Sequence, residues 1–368
     1  MSSPQIASFN RARPWRAASV AAALGLGVAL AGASVAVAAA ASPGTTGRSG
    51  AAVPSGFRGA SMSWLTPERA LALGTAPCTT KADGGSSMPT GCTYVVGTTD
   101  AGAAWTLAGP VTAPLSNGVR NVALVSAAVA WLYQPQLWLS TDSGKVWKKT
   151  AIPGNEQQVV SLVGNASETY AMVSACGQTG GLCESKPYTV WRTSTAKPGT
   201  WTKLATDLAP PSGLFDIDGG LSIYGTTVYA FASFSNSEGG DVHNALEVST
   251  LGGSFTNRKA PCTTSGEVPQ NLLQAVATSK TTVALLCQGP PSVGHSSKPV
   301  FYSTDAGVKF VPAGAPGTGG ILAQLAASPA PSRNLAVSSA SGASYIDIND
   351  TGKTTWTRVV NEPDGGQG

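Results

Sequence analysis

Short apolar runs recur along the chain and are separated by polar and glycine-rich segments. Examples are Asn121–Val125, Val129–Tyr133, Thr227–Ala232 and Thr282–Leu286. These runs are rich in Val, Leu, Ala and aromatic residues, which is typical of buried strands, and they are too short for helices. No stretch between residues 58 and 360 combines a helical period with capping signals. The pattern therefore predicts an all-β protein.

A short box follows several of these strand pairs and reads Ser/Thr-x-Asp-x-Gly-x-x-Trp/Phe. Full copies occupy residues 98–105, 140–147 and 303–310. Glycine supplies the positive φ of a tight turn, and the Asp carboxylate can accept hydrogen bonds from the backbone of its own turn. We expect the aromatic residue to fold back over its own hairpin. The box residues expected to have this structural role are Asp100, Gly102, Trp105, Asp142, Gly144, Trp147, Asp305, Gly307 and Phe310.

Weaker copies of the box fill the intervals between the full ones. The closing aromatic residues of all copies are Trp105, Trp147, Trp201, Phe255, Phe310 and Trp356. Each unit supplies about four strands in roughly 40–50 residues, which is the period of a propeller blade. We therefore predict a six-bladed β-propeller of four-stranded antiparallel blades over residues 58–360, or a seven-bladed one if residues 42–60 hide a first repeat.

Composition and charge narrow the class of protein. Only 11% of the residues are charged, whereas 42% are hydrophobic, and the chain has 44 Gly and 25 Pro. This argues against coiled coils, helical bundles and charged disorder. The net charge of +4 falls to +1 once the three arginines of residues 1–41 are set aside. Because no basic stripe remains, we expect no nucleic-acid partner.

The first 41 residues are typical of a targeting segment. Arg11, Arg13 and Arg16 precede an uncharged run from Ala17 to Ala41 that ends in small residues. This indicates a cleaved signal peptide, or an uncleaved membrane anchor that leaves the rest of the chain outside the cytoplasm. Membrane contact is expected only through residues 17–41, if they stay attached. Residues 42–57 are predicted to form a flexible linker and residues 361–368 a disordered tail.

Six cysteines fall into three pairs that are close in sequence: Cys78 with Cys92, Cys176 with Cys183, and Cys262 with Cys287. Local disulfides are the natural interpretation, since an oxidising compartment allows them to persist. A metal site or catalytic thiol is the alternative. Neither Cys-x-x-Cys spacing nor a nearby pair of histidines supports it, because the chain has only His243 and His295. We expect no metal and no cofactor.

The three full boxes resemble the Asp-box, or BNR, repeat of sialidases, xyloglucan-degrading glycosidases, sortilin-type receptors and photosystem II assembly factors. The surrounding strand pattern is most similar to exported, non-enzymatic bacterial propellers. Sialidases carry an arginine triad and a Phe/Tyr-Arg-Ile-Pro motif, from which Phe57-Arg58-Gly59 departs after the arginine. No motif surrounds the arginines of the repeat region, which are at positions 58, 69, 120, 192, 258, 333 and 358. The resemblance therefore implies the fold and leaves the activity open.

A glycosidase of the two-carboxylate type needs two acids that face one cleft. Asp216 and Asp218 flank Ile217, and strand alternation predicts that they share one face near the central funnel. We prefer a non-enzymatic binding or assembly scaffold of the cell envelope or extracellular space, with extracellular glycoside hydrolysis as the alternative. We expect a monomer that binds an unidentified protein or glycan through the loops around 176–187, 233–244 and 288–298.

Overall fold

The computed structural model describes residues 51–78, 91–111, 119–175, 187–206, 208–236, 241–250, 252–263, 269–290, 296–317, 322–327, 335–340, 344–349 and 354–362. These residues form six four-stranded antiparallel sheets, so the six-bladed propeller is confirmed. In chain order the strands are β1 (Arg58–Thr66), β2 (Arg69–Ala76), β3 (Cys92–Thr98), β4 (Thr106–Val111), β5 (Asn121–Leu124), β6 (Ala130–Tyr133), β7 (Leu137–Ser140), β8 (Lys148–Thr150), β9 (Gln158–Gly164), β10 (Glu168–Ser174), β11 (Thr189–Ser194), β12 (Thr202–Lys203), β13 (Phe215–Tyr224), β14 (Thr227–Ser235), β15 (Val242–Ser249), β16 (Thr256–Arg258), β17 (Asn271–Ala277), β18 (Val283–Gln288), β19 (Val300–Ser303), β20 (Val311–Pro312), β21 (Leu322–Ala327), β22 (Leu335–Ala340), β23 (Ser344–Asn349) and β24 (Thr357–Glu362).

Each blade is a meander of four consecutive strands, with blade 1 formed by β1–β4 and blade 6 by β21–β24. The first strand of each blade is innermost, and the inner strands of successive blades lie side by side. Because all neighbours are antiparallel, the turns that join strands one and two and strands three and four fall at one end of the propeller. We call this end the box face. The opposite end, which carries the remaining connections, is the loop face.

The core is divided into layers between successive blades. Leu71, Leu73 and Val95 of blade 1 pack against Val122 and Leu132 of blade 2, and four further clusters repeat this arrangement around the ring. The closing aromatic residues belong to these layers, one to each: Trp147, Trp201, Phe255, Phe310 and Trp356. Two of these rings also lie over their own turn, as expected: a Cβ on Gly144 would be 3.5 Å from the Trp147 ring, and a Cβ on Gly307 would be 3.5 Å from the Phe310 ring.

The geometry of the blades explains why these aromatic residues also reach the layer between two blades. A four-stranded sheet has two apolar faces, and each face can be removed from water only by the next sheet in the ring. The aromatic residue after each box stands at the edge where two sheets meet, so it seals the seam with the preceding blade. In blade 1, Trp105 instead makes an edge-to-face contact with Trp64 of the same blade, at a ring-centroid distance of 6.4 Å.

Polar side chains of the inner strands connect successive blades. The N–H groups of Val122 and Leu124 donate to the hydroxyls of Ser61 and Ser63, at 3.2 and 3.0 Å. The same contact recurs between later blades, with acceptors Ser161, Ser222 and Gln274 and donors Leu221, Ala277 and Leu325. An inner strand has an unpaired backbone edge, and these side chains satisfy part of it.

Two of the three predicted disulfides lie within the described residues and are formed. Cys78 pairs with Cys92 across the loop between β2 and β3. Cys262, in the connection between blades 4 and 5, pairs with Cys287 on β18. Both bonds lie at the loop face. Cys176 and Cys183 lie outside the described residues.

The start of the described chain is attached to blade 1. Ala52 forms a bridge with Thr106, and the N–H of Leu107 donates to the carbonyl of Ala51 at 2.9 Å. The end of the segment assigned to the linker therefore lies along the outer strand of this blade. Among the described residues, no helix is long and apolar enough to cross a membrane, and residues 17–41 lie outside that part.

Candidate functional site

The three full boxes have one hydrogen-bond pattern. In each, the Ser or Thr hydroxyl donates to the Asp carboxylate at 2.7 Å. The same carboxylate oxygen accepts the N–H four residues later, from Ala104, Val146 and Lys309. Hydrogen bonds from Lys309 N–H and the Ser303 hydroxyl hold the pKa of Asp305 below its usual value.

The glycines of the boxes have φ values of +80° to +87°, in the left-handed region that favours glycine. The residue before each glycine also has positive φ. Its N–H donates to a backbone carbonyl in the turn that joins strands one and two of the same blade. Ser143, for example, donates to the carbonyl of Ala128 at 2.8 Å. The carboxylates are thus occupied by their own turns at the box face, so the geometry gives Asp100, Asp142 and Asp305 a structural role.

Arginines from preceding blades hold several box turns. Arg69 of blade 1 donates to the carbonyl of Ala127 and to Ser143 of blade 2. Arg192 of blade 3 donates to the Gly252 carbonyl of blade 4, and Arg258 of blade 4 donates to the Ala306 carbonyl of blade 5. These three arginines act as connectors between blades. No sequence motif indicates this role, because the acceptors are backbone carbonyls far away in the chain.

The remaining arginines are distributed differently. Arg358 forms a bidentate ion pair with the buried Asp347, at 2.9 and 3.2 Å. Arg58 and Arg120 are exposed at the loop-face ends of blades 1 and 2, and Arg333 lies outside the described residues. Four of the seven arginines are therefore engaged in contacts within or between blades.

The predicted acid pair lies at the loop-face start of β13, the inner strand of blade 4. A β-bulge makes Ile217 an extra residue, so that Asp216 stands opposite Phe234 and Asp218 opposite Ser233. Phe234 and Ser233 are consecutive in β14 and alternate between the faces of the sheet. The bulge thus interrupts the simple alternation between the two acids in the backbone register, and the side chain of Asp216 lies outside the described part of the structure.

Beyond the bulge, the two faces of β13 are clearly separated. Leu221 packs against blade 3, and a Cβ on Gly219 would come within 2.9 Å of the Tyr188 ring. Ser222 is on the opposite face, where its hydroxyl contacts Ala277 of blade 5. Asp218 lies four residues before Ser222 on β13, with no bulge between them. The two residues are therefore on the same face of the strand, which is toward blade 5.

A group of neutral polar side chains lies on that same face. The Ser233 hydroxyl is 2.8 Å from Asn244 Oδ1 and 3.0 Å from Asn271 Oδ1. Asn244 also donates to the Gln270 carbonyl and accepts the N–H of Leu272, both at 2.8 Å. The group ties blade 4 to blade 5 beside Asp218. We call Asp218, Ser233, Asn244 and Asn271 the loop-face polar cluster.

Asp218 is the ionisable member of this cluster. Burial raises the pKa of its carboxyl group to about 7, although the N–H of Gly219 donates to it at 2.7 Å. The cause is desolvation rather than a neighbouring charge. The carboxyl group can therefore change its charge near neutral pH. Next to it, Ile217 is 43% exposed.

On the other face of blade 4, aromatic rings form a row. Phe234 lies between Tyr188, at a centroid distance of 5.9 Å, and His243, at 6.1 Å. His243 is on β15 and half-buried, so it does not belong to a solvent-facing loop. His295 and Cys183 lie outside the described residues. So do residues 176–186, 237–240 and 291–295 of the loops that were expected to contact a ligand. Within the described part, no group of three or more His, Cys, Asp or Glu side chains could hold a metal ion.

Comparison with known proteins found similar solved structures only. No family model matches the chain, and no curated protein matches it. Among solved structures, a six-bladed fungal lectin from Aleuria aurantia aligns with a TM-score of 0.45 and 12% identity, covering 83% of this chain and 96% of the lectin. YCF48 bound to D1 peptide gives a TM-score of 0.38 at 15% identity, covering 76% of this chain and 88% of that one. A Trypanosoma rangeli sialidase complexed with sialic acid gives 0.41 at 13% identity, covering 59% of this chain and 39% of the enzyme.

The chain spans about two fifths of the length of the sialidase. Both binding proteins and enzymes are among the similar structures.

Proposed function

We propose that this protein is a non-enzymatic binding propeller that works outside the cytoplasm and engages its ligand at the loop face. The observation that carries the proposal is the loop-face polar cluster, in which the members other than Asp218 are the neutral side chains of Ser233, Asn244 and Asn271. Retaining and inverting hydrolysis both require a second carboxyl group within roughly 5–10 Å. Burial is the cause that raises the pKa of Asp218.

The two ends of the propeller differ in how their polar side chains are used, and this difference supports the same proposal. At the box face, described Asp and Arg side chains are engaged by backbone groups of their own or the next blade. At the loop face, polar groups are gathered beneath the connections between strands. A rigid ring that displays variable loops is suited to recognition.

The location outside the cytoplasm rests on the two disulfides, which persist in an oxidising compartment. Cell fractionation with mass spectrometry of the unreduced protein tests it. We expect the protein in the envelope or medium with Cys262 and Cys287 bonded. Recovery of reduced protein from the cytoplasm would refute this part of the proposal.

Binding is tested with arrays of defined glycans and peptides, using two matched variants. Ile217 at the loop face and Val308 at the box face are exposed apolar residues, 43% and 68% accessible. We expect Ile217→Asp to abolish capture of the array ligand and Val308→Asp to retain it. The reverse pattern would place the binding surface at the box face.

Hydrolysis is the second candidate function, because a pKa of about 7 would suit Asp218 as a proton donor. Assays with a panel of fluorogenic sialosides and aryl glycosides distinguish hydrolysis from binding without catalysis. We expect no turnover by the wild-type protein. Turnover that is lost in Asp218→Asn would establish a hydrolase instead.

A further inference from the structure

The carboxylate of Asp218 lies among strands that bring few hydrogen-bond donors or cations to it. Its described hydrogen-bond donor is the N–H of Gly219, which bonds one oxygen, Oδ1. The strands around it, β13, β14 and β17, contain no Lys, Arg or His. On β15, His243 stacks on Phe234, which packs on the face toward blade 3. The protein thus supplies no cation from these four strands to the face that holds Asp218.

The neighbouring side chains contribute acceptors more than donors. The Ser233 hydroxyl has two amide oxygens within hydrogen-bond distance, from Asn244 and Asn271, and has only one proton to donate. Asn244 directs its amide N–H to the Gln270 carbonyl. A partly buried carboxylate beside such groups is costly to hold in the charged form, and a ligand that donates hydrogen bonds would relieve that cost.

An apolar surface lies beside the acid. The bulge leaves Ile217 exposed between Asp216 and Asp218, whereas Leu221 and Ile223 of β13 pack in the layer with blade 3. Bulges commonly redirect side chains at functional sites. A carboxyl group next to an exposed aliphatic side chain matches a ligand with a charged head and an apolar stem.

We propose that the loop-face polar cluster binds an aliphatic cation, with an ammonium or guanidinium head on Asp218 and its methylene stem on Ile217. This inference rests on the proposed function, because it names the chemistry of the ligand at the same loop face. The head donates to the carboxylate of Asp218 and to the oxygen of Asn271. Such a group occurs on free polyamines and amines, and on Lys or Arg side chains of a protein partner.

The test measures binding to the full-length protein above pH 8 by saturation-transfer NMR and calorimetry. The probes are n-butylammonium, n-butylguanidinium and the capped tripeptide Ala-Lys-Ala, with n-pentanol and the norleucine tripeptide as uncharged counterparts. We expect the cationic probes to bind and the uncharged ones to bind at least about tenfold more weakly. Equal binding of butylammonium and the tripeptide indicates a free amine, whereas binding of the tripeptide alone indicates a side chain of a partner.

Two variants test whether the cationic probes bind at Asp218. Asp218→Asn should weaken binding of the cationic probes at least about tenfold. Glu156→Gln removes the same charge from the connection to blade 3 at the loop face, and it should leave binding within about twofold. Thermal melting checks that Asp218→Asn remains folded.

Two results would overturn the inference: no binding of any cationic probe at millimolar concentration, or equal loss of binding in both variants. Capture of an uncharged array ligand that Asp218→Asn leaves unchanged would also overturn it, while the proposed function stands. Turnover of a glycoside would refute the proposed function, and the amine titration would still be interpretable.

Discussion

The hydroxyl of Ser161 on blade 3 accepts a hydrogen bond from the backbone N–H of Leu221 on blade 4, at 3.0 Å. The donor belongs to the free edge of an inner strand, and Leu221 itself is buried. Blades are therefore joined by specific polar contacts as well as by apolar layers. This relationship recurs around the ring through Ser61, Ser63, Ser222 and Gln274.

Replacing Ser161 with Ala should destabilise the protein by about 1–3 kcal/mol, because the N–H of Leu221 then loses its acceptor. Urea denaturation measures the loss. The control is Ser254→Ala, at an exposed turn position of blade 4, which should change stability by less than about 0.5 kcal/mol. Equal effects of the two variants would show that the inter-blade hydrogen bond contributes nothing measurable.

Replacing Trp147 with Ala should cost about 2–4 kcal/mol, because the indole packs into the layer between blades 1 and 2. Its neighbour Val146 is 66% exposed and provides the control, Val146→Ala. Thermal and urea denaturation should separate the two variants clearly. Similar stabilities would contradict the position of the indole between the blades.

Replacing Asp142 with Ala should destabilise the turn by about 1 kcal/mol, because its carboxylate bonds both the Ser140 hydroxyl and the Val146 N–H. Glu156→Ala, a carboxylate outside any box, serves as the control. Denaturation at pH 7 measures both. If only Glu156→Ala lowered the free energy of unfolding, the structural role of the Asp142 carboxylate would be refuted.

The box carboxylates also predict a dependence on pH. Hydrogen bonds from Lys309 N–H and Ser303 lower the pKa of Asp305 from 3.8, so the folded state favours its charged form. Its contribution is complete above pH 3.8 and is lost as the pH falls through the folded pKa. Asp305→Asn should therefore flatten the acid limb of the stability curve. An unchanged acid limb in urea titrations below pH 4 would refute this.

Asp218 should give stability the opposite dependence on pH from that of Asp305. Burial raises its pKa from 3.8 to about 7, so the folded state binds more protons than the unfolded state between these values. Stability should fall as the pH rises through this window and level off above about 7. Asp218→Asn should match the wild type near pH 4 and be more stable at pH 8. A constant difference across this range, measured by urea denaturation, would contradict the predicted burial.

The sequence by itself determined the architecture. Short apolar runs, a turn box with positive-φ glycines and six recurring aromatic residues specify strands, tight turns and a repeat, and each of these signals is local. The pairing of Cys262 with Cys287 was accessible for the same reason, since the two cysteines fall within one repeat length. Blade number followed from counting Trp105, Trp147 and their counterparts.

Only the tertiary structure decided what these local features contact. Trp147 seals a seam with the preceding blade, Arg192 holds a carbonyl of blade 4, and the bulge at Ile217 separates Asp216 from Asp218 in register. Alternation along a strand is a local rule, and one inserted residue reverses it beyond that point. The partners of an inter-blade contact are about a blade apart in sequence, and their distance is set by closing the ring, which no short-range pattern encodes.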